Sequence, residues 1–216
     1  MAGSFEQPAT IALPRRPGEP PATLEGIFVP VPEPRAAAVV AAPHPLMGGS
    51  MGSPVVAEIA RACQRAGAAS LRFNWRGVGA SAGAPSDDWA QADADFQAAL
   101  DFLGEAVSAP PVACGYSFGS LAALRAAQRT RSIRRLVLVA PPTSMLAAEA
   151  IAQFTGELFL VTGDADEWVD AGVLAQLAGQ ARAAHLEIIP DCDHFFMNGL
   201  GALAAGLERW WGPDPG

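Results

Sequence analysis

The sequence contains no lysine, and all 14 of its basic residues are arginine. That absence removes Schiff-base chemistry and the lysine of a phosphate-binding P-loop. Arginine is itself outnumbered by 22 acidic residues, giving a formal net charge of -8 and a pI near 4.8. A nucleic-acid binder needs a basic stripe to displace counterions from phosphate, so no nucleic-acid partner is expected. Cysteine is scarce as well: Cys63, Cys114 and Cys192 have no metal-ligand spacing, which predicts free thiols in a reducing compartment and no metal site. Residues 1–16 carry Pro8 and Pro14 and no continuous apolar stretch. Neither a signal peptide nor a membrane span is expected, and the chain reads as cytoplasmic.

What is present is apolar: half of the 216 residues, enough for one sizeable core. Residues 1–22 form a proline-rich segment with a strand near 9–13 and a turn at 16–20, and residues 23–216 are expected to form a single domain. A second strand over 23–31 pairs with the first as an antiparallel edge hairpin. Apolar strands are then predicted at 36–42, 69–73, from 112 into the turn at 115–119, and at 133–139, 157–161 and 184–189, with helices at 54–66, 87–103, 121–127 and the chain end. The 87–103 helix is read as capped by Ser86, with Trp89, Phe96, Leu100 and Leu103 on one face. In the last helix, Phe196, Leu200, Leu203, Leu207 and Trp210 make a core stripe, and Trp211 is a candidate contact in a homodimer. Residues 143–156 are the only room for a lid. Alternation of strand and helix predicts a mostly parallel sheet between two helical layers, with functional groups at the strands' carboxyl ends.

The chemistry centres on Gly115-Tyr116-Ser117-Phe118-Gly119, between an apolar strand and a helix rich in alanine and leucine. Such a turn places the serine in a strained conformation with its hydroxyl thrust outward, and glycines flank it because side chains there would collide with strand and helix. Two later strands end in Gly163-Asp164-Ala165-Asp166-Glu167-Trp168 and in Asp191-Cys192-Asp193-His194-Phe195-Phe196. His185 starts a strand and His44 precedes the serine, leaving His194 as the candidate base. The Gly-x-x-Asp spacing favours Asp166 as its acidic partner, with Asp164 holding the turn and Asp170 a distant third. The glycine-rich run after residue 73 looks superficially like a dinucleotide loop. No helix starts there, so Arg76 is read as a loop anchor bonded to neighbouring carbonyls.

Together with Pro43-His44-Pro45-Leu46-Met47-Gly48-Gly49-Ser50-Met51 and Phe73-Asn74-Trp75-Arg76-Gly77-Val78-Gly79, these motifs resemble the small, lidless bacterial alpha/beta hydrolases. The likeness lies near the dienelactone hydrolase and short-chain carboxylesterase groups, although dienelactone hydrolases use a cysteine nucleophile where this chain has Ser117. The resemblance implies a three-layer alpha/beta hydrolase fold, a Ser117-His194-Asp166 triad and no cofactor. It further implies a small ester as substrate, with an acyl-enzyme intermediate. One oxyanion donor is expected at the backbone of Phe118. The other is expected at Leu46, because Pro45 has no N–H. His44 is expected to shape its loop. Met47, Tyr116, Trp168 and Phe195 are expected to contact substrate, beside Leu46 and Phe118. A thioesterase, lactonase or small peptidase could use the same triad, and a binding module could have kept the shell without catalysis.

Overall fold

In the computed structural model, residues 6–15, 18 and 20–212 are described. The turn expected at 16–20 falls mostly outside them. Eight strands form one sheet in the order β1-β2-β4-β3-β5-β6-β7-β8. β1 (Gln7–Ala12) and β2 (Thr23–Val29) make the antiparallel edge hairpin, and β2 also runs antiparallel to β4 (Ala68–Phe73). From β4 through β3 (Ala36–Ala41), β5 (Pro111–Tyr116), β6 (Arg135–Val139), β7 (Glu157–Gly163) and β8 (Ala184–Ile189) every pairing is parallel. β3 and β4 are buried along their whole length, as unbroken apolar strands covered on both faces must be.

Among the described residues six α-helices pack on the sheet: α1 (Pro54–Arg65), α2 (Trp89–Ala106), α3 (Phe118–Arg129), α4 (Ala148–Gln153), α5 (Ala171–Gln180) and α6 (Leu200–Trp211). The sequence placed the start of α2 two residues early. Asp88 is the N-cap and its carboxylate accepts the N–H of Ala90, while Ser86 Oγ accepts the N–H of Asp88 one turn outside. Phe196 does not belong to α6. It lies ahead of the helix with φ 56°, fully buried and edge-on to Tyr116. Trp211 is buried too, with the guanidinium groups of Arg35 and Arg135 against its ring, so its surface is used within the chain rather than offered to a second copy. Between β6 and β7 the chain makes only a 3-10 turn, Thr143–Met145, and the six residues of α4. Among the described residues nothing forms a lid over the carboxyl ends of the strands. Among the described residues no helix is long and apolar enough to cross a membrane.

Candidate active site

Ser117 sits between β5 and α3 with φ 55° and ψ -120°, a conformation that L-residues adopt only under constraint. Two glycines make it attainable. A Cβ on Gly115 would lie 2.0 Å from the carbonyl oxygen of Gly119, and one on Gly119 would lie 2.4 Å from that of Ala41. Strand, elbow and helix therefore meet backbone to backbone. The N–H of Ser117 is bonded to Val139 on β6, which fixes the turn against the neighbouring strand.

The loops after β7 and β8 bring a carboxylate and an imidazole to this hydroxyl. His194 Nε2 lies 3.0 Å from Ser117 Oγ, and His194 Nδ1 lies 2.7 Å from Asp166 Oδ2. A carboxylate only accepts, so the Nδ1 proton lies toward Asp166, leaving Nε2 as the acceptor for the serine hydroxyl. Asp166 is held in turn, its Oδ1 accepting the N–H of Trp168 and its Oδ2 the hydroxyl of Thr162. Both Asp166 and His194 are buried. The two loops are joined directly: the N–H of Asp164 donates to Ile189 and that of Ala165 to Cys192. A Cβ on Gly163 would come within 1.8 Å of the Cys192 carbonyl. Turn-holding thus falls to these backbone bonds and to Asp166 itself, while the Asp164 side chain expected to do it stands exposed.

Tyr116 is 3% exposed, and its hydroxyl donates to the carbonyl of His194 at 2.8 Å, so it braces the histidine loop from below as well as bordering the cavity. Burial first, and then the charges of Asp166 and Asp193, push its phenol well above the ordinary range. The buried Cys192 thiol is pushed up to about 11 by burial and by Asp193, Asp166 and Asp164.

Phe118 opens α3, whose first N–H groups have no partner within the helix and face the region of Ser117. Its ring is buried rather than presented to a substrate. Trp89 stacks on it at 4.6 Å and 16°, Trp75 meets it edge-on at 5.6 Å, and His44 lies tilted at 4.8 Å. The loop that approaches from β3 differs from expectation in one bond. The N–H of Leu46 donates to His44 Nδ1 at 3.2 Å, so the expected second oxyanion donor is engaged by the histidine that shapes its loop.

How that loop is fastened has no local signal in the residues around it. At one end, Trp75 Nε1–H donates to the carbonyl of Ala42 at 3.0 Å; at the other, the N–H of Met51 donates to Asn74 Oδ1 at 2.8 Å. Asn74 Nδ2 donates to Glu25, which also accepts the N–H of Ala80. Next along the chain, Arg76 donates from both its N–H and Nε–H to Asp95 on α2. The partner is thus a carboxylate, 1% exposed, rather than a carbonyl. Burial raises the Asp95 carboxyl above its usual range and Arg76 only partly offsets it. The motif at 73–83 is the one that looked like a failed dinucleotide loop; the signal was visible, its partners were not.

Above Ser117 opens a cavity of about 680 Å³, whose rim includes Met47, Met145, Trp168, Phe195 and Met197, all exposed. Trp168 stands edge-on to His194 at 4.4 Å. Of the expected substrate contacts, Met47, Tyr116, Trp168 and Phe195 border this space, and Phe118 reaches it from its buried seat.

A sheet of this order, a serine on a strained strand-to-helix turn after β5, and a carboxylate and an imidazole at the ends of β7 and β8 define the alpha/beta hydrolase architecture. The chain belongs to the alpha/beta hydrolase fold family, whose sequence profile matches residues 44–158. It is 30% identical over 189 residues to an uncharacterized protein of Rickettsia prowazekii, covering 82% of this chain and 79% of that one. Among solved structures it is similar to an alpha-beta serine hydrolase homologue from Coxiella burnetii, with a TM-score of 0.80 and 27% identity over 94% of this chain and 96% of that one. It is also similar to a serine hydrolase without lid from Xanthomonas campestris, with a TM-score of 0.76 and 29% identity over 94% and 95% of the two chains.

Proposed function

We propose that this protein is a serine carboxylesterase that hydrolyses small or short-chain esters through an acyl-enzyme intermediate. The observation that carries the proposal is the unbroken chain Asp166–His194–Ser117, with bonds of 2.7 and 3.0 Å, ending at the floor of an open apolar cavity. Ser117 Oγ attacks the ester carbonyl as His194 Nε2 takes the hydroxyl proton, and Asp166 holds the imidazolium through Nδ1. Collapse of the tetrahedral species breaks the bond to the alcohol oxygen, which leaves with the proton returned by His194. Water then repeats the sequence on the acyl-serine, releasing the acid and restoring the serine. The oxyanion is held by the N–H of Phe118 and by that of Leu46, which exchanges His44 Nδ1 for the substrate oxygen. Each donor is worth about 10²–10³ in rate.

The support is geometric and comes from relatives of the same architecture; thioester, lactone and amide bonds present the same carbonyl to the same serine. The test is intact mass after exposure to a fluorophosphonate, with peptide mapping, alongside hydrolysis of p-nitrophenyl acetate and butyrate. One adduct on Ser117 with loss of hydrolysis is expected. A folded sample that takes no adduct would overturn the proposal in favour of a binding module on a hydrolase shell.

A further inference from the structure

Among the described residues, those lining the cavity include no Asp, Glu or Arg, and its ionisable rings are the imidazoles of His44 and His194 and the phenol of Tyr116. Its other polar side chains are neutral, the hydroxyls of Ser50, Ser53 and Ser144 beside that of Ser117. The charges next to it in the chain lie on the two loops that carry Asp166 and His194. These are Asp164, Glu167, Asp191 and Asp193, all carboxylates. Three stand exposed and Asp193 is half-buried. Their field is felt inside the loops, where Asp193, Asp166 and Asp164 add to burial in raising the Cys192 thiol. The arginines of the neighbouring helices and loop are occupied elsewhere: Arg76 by Asp95, Arg125 and Arg129 by Asp93, Arg61 and Arg65 by Glu58.

From this we infer that the substrate is an electrically neutral ester with apolar groups on both sides of the scissile bond, and that esters and thioesters carrying a carboxylate or phosphate near that bond are rejected. The inference rests on the serine-hydrolase proposal and adds the charge of the substrate to it. An anion entering the cavity exchanges water for apolar walls without gaining a counter-cation, and a desolvated unpaired charge is among the most unfavourable states a protein can create. It also approaches past loops of its own sign, which lowers its local concentration. A neutral ester meets neither obstacle. The cavity is large enough for groups well beyond acetyl, since ligand pockets span about 300–1,000 Å³. Methionines on its rim, at 47, 145 and 197, adapt to differently shaped apolar groups because the side chain is unbranched and polarisable. Nucleotide-bearing thioesters are thereby disfavoured, which separates this site from a thioesterase acting on such substrates.

The test compares p-nitrophenyl pentanoate with the p-nitrophenyl monoester of glutaric acid, two acyl groups of similar length differing by one terminal carboxylate. After subtraction of each ester's rate without enzyme, which for the glutarate includes attack by its own carboxylate, the neutral ester should show the higher kcat/KM by about tenfold or more, the size of effect one uncompensated charge produces at short range. The gap should narrow between about 0.05 and about 0.5 M sodium chloride as the rim charges are screened. Met145→Arg, which sets a cation on the rim, should raise the anionic ester relative to the neutral one. Equal rates, or a faster anionic ester, on a sample whose Ser117 is labelled by a neutral fluorophosphonate would overturn the inference while leaving the hydrolase proposal intact. Absence of labelling together with hydrolysis of neither ester would instead overturn the hydrolase proposal.

Discussion

On one side of Ser117 the loop of residues 43–50 is fastened at both ends, to Trp75 and to Asn74, and the ring of Phe118 is held among Trp75, Trp89 and His44. On the other side Met145 and Met197 stand 56% and 76% exposed, and Phe195 falls between them. In the proposed reaction the first side supplies the backbone N–H groups of Phe118 and Leu46 to the oxyanion, and the second meets the groups the substrate bears. Donors aimed at a developing charge lose their advantage if their backbone must reorganise, so bracing belongs there, and the exchange asked of Leu46 falls on the His44 ring rather than on the fastened backbone. Surfaces that contact varied apolar groups gain from loose, adaptable side chains. The same cavity therefore has one wall specified by buried hydrogen bonds and one specified only by composition.

Both walls have meaning only if Ser117 reacts between them, so the largest effect is expected at the serine itself. Ser117→Ala or His194→Ala should each reduce kcat by roughly 10⁵–10⁶, with the double mutant little worse, because such residues act as a unit. Additive losses would break the comparison at its centre. The braced wall comes next. Asn74→Ala should lower kcat about 10²-fold and Trp75→Phe about tenfold, each with little change in KM, since what is lost is alignment of donors used in the transition state. A rise in KM with kcat preserved would show that the clasp serves binding instead. The double truncation of Met145 and Met197 to alanine sharpens the contrast from the other wall. KM for pentanoate esters should rise about three- to tenfold with kcat nearly constant, the behaviour of uniform binding.

Two smaller effects bear on stability. Asp93 is partly buried, which alone would raise its carboxyl, but hydrogen bonds and charge from Arg125 and Arg129 hold it below the usual range. The unfolded chain therefore binds a proton at this site more tightly than the folded one. Its contribution is complete above the unfolded value near about 4 and is lost as pH falls through the folded value. Asp93→Asn should make the acid limb of the stability curve shallower and cost about 1 kcal/mol or less at neutral pH, as denaturant titration would register. Asp164→Asn, on an exposed side chain, should lie within about 0.5 kcal/mol of wild type and leave kcat unchanged.

The meeting of Ser117, Asp166 and His194 at the strand ends was legible because its signals are local. A strand, a glycine-flanked serine and a helix are contiguous in the chain, and Asp166 and His194 each lie a few residues past the end of a strand. The edge hairpin was legible for the same reason. What escaped were choices among neighbouring partners and contacts across the chain. Ser86 and Asp88 are both competent caps, and only the path of the chain into α2 decides between them. Nothing near residue 74 states that its amide will meet Met51 on one side and Glu25 on the other. Asp95 looks like one more polar residue of an amphipathic helix until Arg76 arrives from the preceding loop. The Leu46 N–H was read as free because a sequence does not say which way a histidine ring turns.

The stitching of the acid loop to the base loop also governs where this chain can change length. Because Gly163 lies against the Cys192 carbonyl and Asp164 and Ala165 are bonded across to Ile189 and Cys192, a residue inserted into either loop would displace both members of the Asp166–His194 pair. The exposed turn at residues 147–149, between Leu146 and the buried part of α4, has no such tie to the pair. Added chain there would hang over the mouth of the cavity without disturbing the bonds beneath it, so a covering for this open site has one ready point of attachment.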